Sequence, residues 1–199
     1  MNFFKKIFST RNSESKKEVS QVNFIFDDDI PADEQFAIKF NENGGKFIYC
    51  TSDFEVQGVF RNILKEIGVD VKISYSNGSL KSMFEEYDSL FTSNIQDSNV
   101  YLTDCEYLIT TLGGIMLSSN QLKQKKTEEL PEIFIVFAKT SQMVKDITEG
   151  MRGINFKYTK RKPTGLVTLR SFKEDRNQND IMNYGGTYKK TYLILLEDL

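Results

Sequence analysis

The chain has 199 residues, 39% of them hydrophobic and 27% charged, with a formal charge of −2. This suits one domain with a full core and a short appendage; no apolar run approaches the roughly 20 residues of a membrane-spanning helix, and no basic face is offered to nucleic acid. There is no histidine, which removes Ser-His-Asp and Cys-His nucleophiles, imidazole metal ligands and the commonest general base. Two isolated cysteines, Cys50 and Cys105, cannot build a zinc or iron–sulfur centre, so they read as buried thiols of a cytoplasmic protein and no metal is expected.

In chain order, residues 2–10 place Phe4, Ile7 and Phe8 on one helical face, beside Phe3 and flanked by Lys5 and Lys6. That pattern predicts a short amphipathic helix that docks on its own domain or on a second subunit of a homo-oligomer; with so few lysines a membrane foot is the weaker reading. Residues 11–20 are polar and charged and read as a flexible linker, so residues 1–21 form the appendage and 22–199 the domain. Asp27-Asp28-Asp29 before Pro31 suits a helix start, and a helix over 31–43 buries Phe36, Ala37 and Phe40 before Gly44-Gly45 stops it.

Lys46–Cys50 follows as a strand. Thr51 or Ser52 caps a helix to Ile67, with Phe54, Val59, Phe60, Ile63, Leu64 and Ile67 inward. Strands are expected at 69–75, 100–103, 107–111, 113–118, 133–138, 166–169 and 192–196, and residues 80–90 read as a helix or a pair of short turns. A further helix is expected over 143–151, capped by Thr140 or Ser141, and then a basic loop over 153–163. Strands alternating with crossovers predict an α/β fold: a mainly parallel sheet with helices on both faces. No Gly-x-Gly-x-x-Gly follows a strand, so no cofactor is indicated.

Read together, Phe36–Tyr49, Cys105-Glu106-Tyr107-Leu108-Ile109-Thr110-Thr111-Leu112-Gly113-Gly114, Leu130-Pro131-Glu132-Ile133-Phe134-Ile135, Ser141-Gln142-Met143-Val144 and the run from Leu169 to Asn177 resemble the lactate-utilisation protein C family, the stand-alone form of the LUD domain. The likeness spans roughly residues 31–199, closing on Gly186 and an apolar strand. That family's central motif runs Ala-Asp-x-x-Ile-Ala-Glu-Thr-Gly-Thr; here its Glu-Thr is Thr111-Leu112. Its histidine is Phe134 and its late Gly-Pro is Leu169-Arg170, whereas Gly113, Pro131, Gln142, Ser171, Asp175 and the acid at Glu106 are kept.

The resemblance implies a fold similar to that of sugar-phosphate isomerases and coenzyme A transferases. It implies a role in lactate or 2-hydroxy-acid utilisation beside iron–sulfur partner proteins, as a non-redox accessory or small-acid-binding subunit. The alternative is an isomerase- or CoA-transferase-like enzyme acting on a phosphorylated or CoA-linked molecule, so enzymatic activity stays open. Any acid/base residue is expected to be Glu106, Asp175 or Glu174, with a pKa raised by burial. A small anionic ligand is expected at Thr111, Gly113, Gly114, Ser141, Gln142, Ser171 and Arg176, because ligands gather beyond the carboxyl ends of parallel strands and free amides and hydroxyls suit an anion. For each the plain reading stands beside this: a tight turn at Gly113-Gly114, a helix cap at Ser141, a solvated loop at 171–176.

Overall fold

Five parallel strands form the spine of the domain, in the order β1-β9-β6-β3-β2. They are β1 (Lys46–Cys50), β2 (Ile73–Tyr75), β3 (Val100–Asp104), β6 (Ile133–Lys139) and β9 (Lys190–Leu196). The computed structural model describes residues 30–170, 172 and 188–198. The expected helix at 2–10, the linker, and the site residues Ser171, Glu174, Asp175 and Arg176 lie outside the described residues. No described helix is long and apolar enough to cross a membrane.

The central strands are apolar on both sides because both faces are covered. On one face, Val100, Leu102, Ile135, Phe137, Ile194 and Leu196 pack with helix α2 (Asp53–Ile67) through Val56, Phe60, Ile63 and Leu64. The short helix α3 (Gly78–Met83) and the 3-10 turn Glu85–Leu90 close this side, where Phe84 stacks on Phe60 at 3.9 Å between ring centroids. On the other face, helix α1 (Ala32–Glu42) buries Phe36 and Phe40 and sets Phe36 against Phe47 of β1, 6.1 Å between centroids. Each such ring contributes roughly 1.5–3 kcal/mol through removal from water.

The mainly parallel sheet is as expected from the patterning, and the structure adds a second, smaller one. Strands β4 (Tyr107–Ile109), β5 (Gly114–Ser118), β7 (Met143–Val144) and β8 (Leu166–Leu169) form a separate sheet in the order β7-β4-β5-β8, with β4-β5 and β5-β8 antiparallel. One face carries Ile109 and Met116 against Ile154 of helix α4 (Ile147–Lys157); the other presents Leu108, Ile115 and Leu117, all fully buried.

Three local expectations change. The helix expected over 143–151 begins later: Met143–Val144 pairs with β4, and Asp146, accepting from Glu149 N at 2.9 Å, caps a helix that runs on to Lys157 through part of the expected loop. The strand expected at 69–75 shrinks to Ile73–Tyr75, since Val69 is exposed and Asp70 adopts φ 62°. Phe54 faces solvent rather than the core. It sits in the first turn after Ser52, whose hydroxyl accepts from Glu55 N as the predicted cap.

Candidate functional site

Strand β3 ends on Asp104, and the next two residues, Cys105 and Glu106, turn the chain from the large sheet into the small one. Gln142, expected to bind a ligand, clamps this connector: its amide donates to the Cys105 carbonyl at 2.6 Å, while its carbonyl accepts from Lys139 N at 2.8 Å. The side chain of Glu106 is fully buried. Lys157 Nζ donates to its Oε2 at 2.7 Å, and the Tyr158 hydroxyl to Oε1 at 2.8 Å. The Ser118 hydroxyl stands 2.8 Å from Glu106 Oε1 and 2.5 Å from Gln121 Oε1, so its one proton serves one of them at a time.

Burial pushes the Glu106 carboxyl up, but the hydrogen bonds from Lys157, Tyr158 and Ser118 and the Lys157 charge outweigh it and hold the group below its ordinary value. Burial lowers Lys157 in turn, and its bond to Glu106 more than restores it, so the ammonium stays charged. Asp104 goes the other way. Burial raises it, the Glu106 charge adds to that, and the hydrogen bonds it accepts do not compensate. The expectation of a raised pKa at Glu106 is therefore corrected: among the described carboxyls of this connector, Asp104 is the one held up.

The turn after β5 supports the cluster. Gln121 accepts from Ser118 N at 2.9 Å through its side chain and from the Tyr101 hydroxyl at 2.5 Å through its backbone. Lys123 and Gln124, both with positive φ, end that turn with the Lys123 ammonium 4.9 Å from the Tyr75 ring centroid, at the end of β2.

Ser141 caps no helix. Its amide and hydroxyl donate to the two oxygens of Asp198 at 2.9 and 2.8 Å, and Thr140 Oγ1 donates to Asp198 as well, joining the ends of β6 and β9. Thr111, Gly113 and Gly114 are in different surroundings. Gly113 is left-handed at φ 56°, and a Cβ there would come within 2.5 Å of Phe40 N in α1. Lys39 Nζ donates to the Thr111 carbonyl at 2.7 Å and Asn43 to the Leu112 carbonyl at 2.9 Å. The close approach that the paired glycine permits is made by α1, and Gly114 pairs with Ile109 inside the small sheet. Thus Glu106 and Gln142 meet at the connector and Ser141 is the next residue, whereas Thr111 and Gly113 are held by a helix.

Asp104 and Tyr158 are not among the residues expected from the sequence, and Lys157 falls within the expected basic loop. The available signal was Asp-Cys-Glu at the end of an apolar strand. Nothing in the sequence linked it to residues about fifty positions on. Cys105 is fully buried and its thiol is pushed well up, which leaves it unreactive. Among the described residues no group of three or more Cys, Asp or Glu is placed to hold a metal ion.

The model of the LUD domain matches residues 80–196, more than half of the chain. Among solved structures, the chain is similar to the crystal structure of a DUF162 family protein from Deinococcus radiodurans. The TM-score is 0.60 at 15% identity, over 84% of this chain and 96% of that one. No curated protein matches. With the connector, the paired glycine and the Leu-Pro strand all inside the matched region, the chain belongs to the LUD domain family.

Proposed function

We propose that this LUD-domain protein is a non-redox, small-acid-binding accessory subunit in the utilisation of lactate or a related 2-hydroxy acid, acting in the cytoplasm beside iron–sulfur partner proteins. In this reading residues 22–199 are the LUD domain and the Phe-rich residues 1–21 are an appendage that docks on it or on a second subunit. The acid lies at the carboxyl edge of the parallel sheet, bordered by Asp104, Lys157 and the Ser141–Gln142 turn, where α/β sheets gather ligands. Thr111, Gly113 and Gly114 shape the domain beneath it.

One observation carries the accessory reading. Glu106, the described acid that the family motif retains, is kept ionised under three donors. A carboxyl in that state is a poor proton donor and a weak base near neutral pH. Lys157 is half exposed, so its ammonium can meet a ligand without leaving Glu106. With two isolated cysteines the chain supplies no cluster for electrons, which must pass through partners.

Support for the isomerase- or transferase-like alternative rests on Asp104, a half-buried carboxyl with a raised pKa at a strand end. The two are separated by affinity capture of the full chain from cells grown on lactate, paired with turnover assays of the purified protein on sugar phosphates and acyl-CoA esters. Recovery of iron–sulfur lactate-oxidation subunits without turnover supports the accessory reading. Turnover without those partners overturns it.

A further inference from the structure

We propose that the acid is taken up together with one proton, and that Asp104 is the residue that receives it. This rests on the small-acid reading above and names how that site accepts its ligand.

The argument is one of charge. Lys157 is matched by Glu106 at 2.7 Å, so that pair is neutral as a unit. Asp104 has no such partner: among the described residues no cation lies within ion-pair distance of it. What meets its two oxygens is neutral, the Ser76 hydroxyl at 3.4 Å on Oδ1 and the Asn77 amide at 3.2 Å on Oδ2. Asn77 is fixed in place because its own carbonyl oxygen caps α3 by accepting from Leu80 N at 3.0 Å. The other titratable groups that face Asp104 are Tyr101 on β3, Cys105 and Glu106 on the connector, and Lys157 at the end of α4. Burial keeps the Tyr101 phenol and the Cys105 thiol neutral. The set therefore holds two carboxylates and one ammonium.

An acid anion arriving here would make three carboxylates against one ammonium. A proton from solvent on Asp104 cancels the added charge and returns the set to two carboxylates and one ammonium: the anion and one proton enter, and Asp104 leaves the charge count. It also changes the chemistry of the contact. An ionised carboxylate only accepts, so it repels a second carboxylate, whereas the protonated form has an O–H to donate to it. Glu106 is the poorer receiver because a proton there would break its pairing with Lys157.

The test is calorimetric titration of the full chain with L-lactate and with pyruvate at about pH 6 and about pH 8, each in two buffers of different ionisation enthalpy. The wild type is expected to take up close to one proton per acid bound. Its affinity should fall by up to about tenfold per pH unit across the range where Asp104 ionises. Asp104→Asn, which mimics the neutral form, is expected to bind equally well at both pH values, more tightly than wild type at the higher one, and without proton uptake. That gain of affinity is a readout a merely structural role would not produce. Wild-type binding that is the same at both pH values and in both buffers overturns the proton coupling while leaving the small-acid reading standing. So does an Asp104→Asn variant that keeps the wild-type slope. Binding of neither acid at either pH overturns the small-acid reading and the coupling with it. If Asp104→Asn fails to fold, a carbon NMR titration of the wild-type Asp104 carboxyl with and without L-lactate decides: a carboxyl pKa that lactate does not raise overturns the assignment.

Discussion

Lys157, half exposed at the end of α4, holds its ammonium 2.7 Å from Oε2 of Glu106, whose side chain is fully buried. The pair ties the outer helix of the small sheet to the connector that leaves β3. A buried carboxylate without its cation is costly, so the partner matters more than an exposed ion pair would. Two residues upstream, Asp104 is half-buried and lacks such a partner, and the two acids are driven in opposite directions.

Replacing Lys157 by Met should therefore do more than delete a surface charge. Glu106 would keep only the hydroxyls of Ser118 and Tyr158, so its carboxyl should move up toward or past the ordinary value. The fold should lose about 1–3 kcal/mol. Urea denaturation near neutral pH measures the loss, and a carbon NMR titration of the Glu106 carboxyl measures the shift. A variant as stable as wild type would mean that the ion pair is incidental.

The same two acids set the pH profile of stability. Glu106 sits below its ordinary value of 4.5 when folded, so as pH falls the unfolded chain takes the proton first; stability is full above that value and declines below it. Asp104 sits above its ordinary 3.8, so its effect has the opposite sign: the folded chain holds the proton more tightly, and stability is lost as pH rises through the folded pKa. Glu106→Gln should flatten the acid limb, and Asp104→Asn should match or exceed wild type near neutral pH. Urea midpoints measured from about pH 3 to about pH 7 check both signs.

Gly113→Val should unfold the α1 contact. The left-handed backbone disfavours a β-branched residue, and the new Cβ would press into the backbone of α1 near Phe40 N. A loss of about 2–4 kcal/mol is expected, read as a lower thermal midpoint. Whatever folded protein remains should bind L-lactate as wild type does.

Tyr101→Phe removes the donor to the Gln121 carbonyl in a buried place. The cost should be about 1–2 kcal/mol in urea denaturation. The Ser118–Gln121 turn should also loosen, seen as faster amide exchange at Ser118, whose N–H is held by Gln121 at 2.9 Å.

What was legible in the sequence were features that depend on near neighbours. Continuous apolar runs marked residues 133–138 and 192–196 as strands of the parallel sheet, because both their sides must be covered. Ser52 read as a cap because its partner, Glu55 N, is three residues on. The same local logic misled at Ser141. Asp198, 57 residues away, takes both its donors, while Asp146 accepts from Glu149 N and the Glu149 carboxylate accepts from Lys145 N, which starts the helix later. Nor could an apolar run say which sheet it would join. Residues 107–109 and 114–118 look like the central strands, yet antiparallel pairing with each other and with 166–169 draws them into a second sheet.

The site divides in the same way. The sequence by itself determined the chemical inventory: no imidazole, two isolated thiols, an acid retained at 106, and glycine where the chain must approach a neighbour closely. Only the tertiary structure decided the state of those groups. Glu106 is ionised because Ser118, Lys157 and Tyr158 reach it from 12, 51 and 52 residues away. Gly113 serves α1 because that helix, some 70 residues earlier, fills the space beside it. A pKa and a close contact both depend on which groups share a volume, and sharing a volume is settled by packing across the chain rather than by spacing along it.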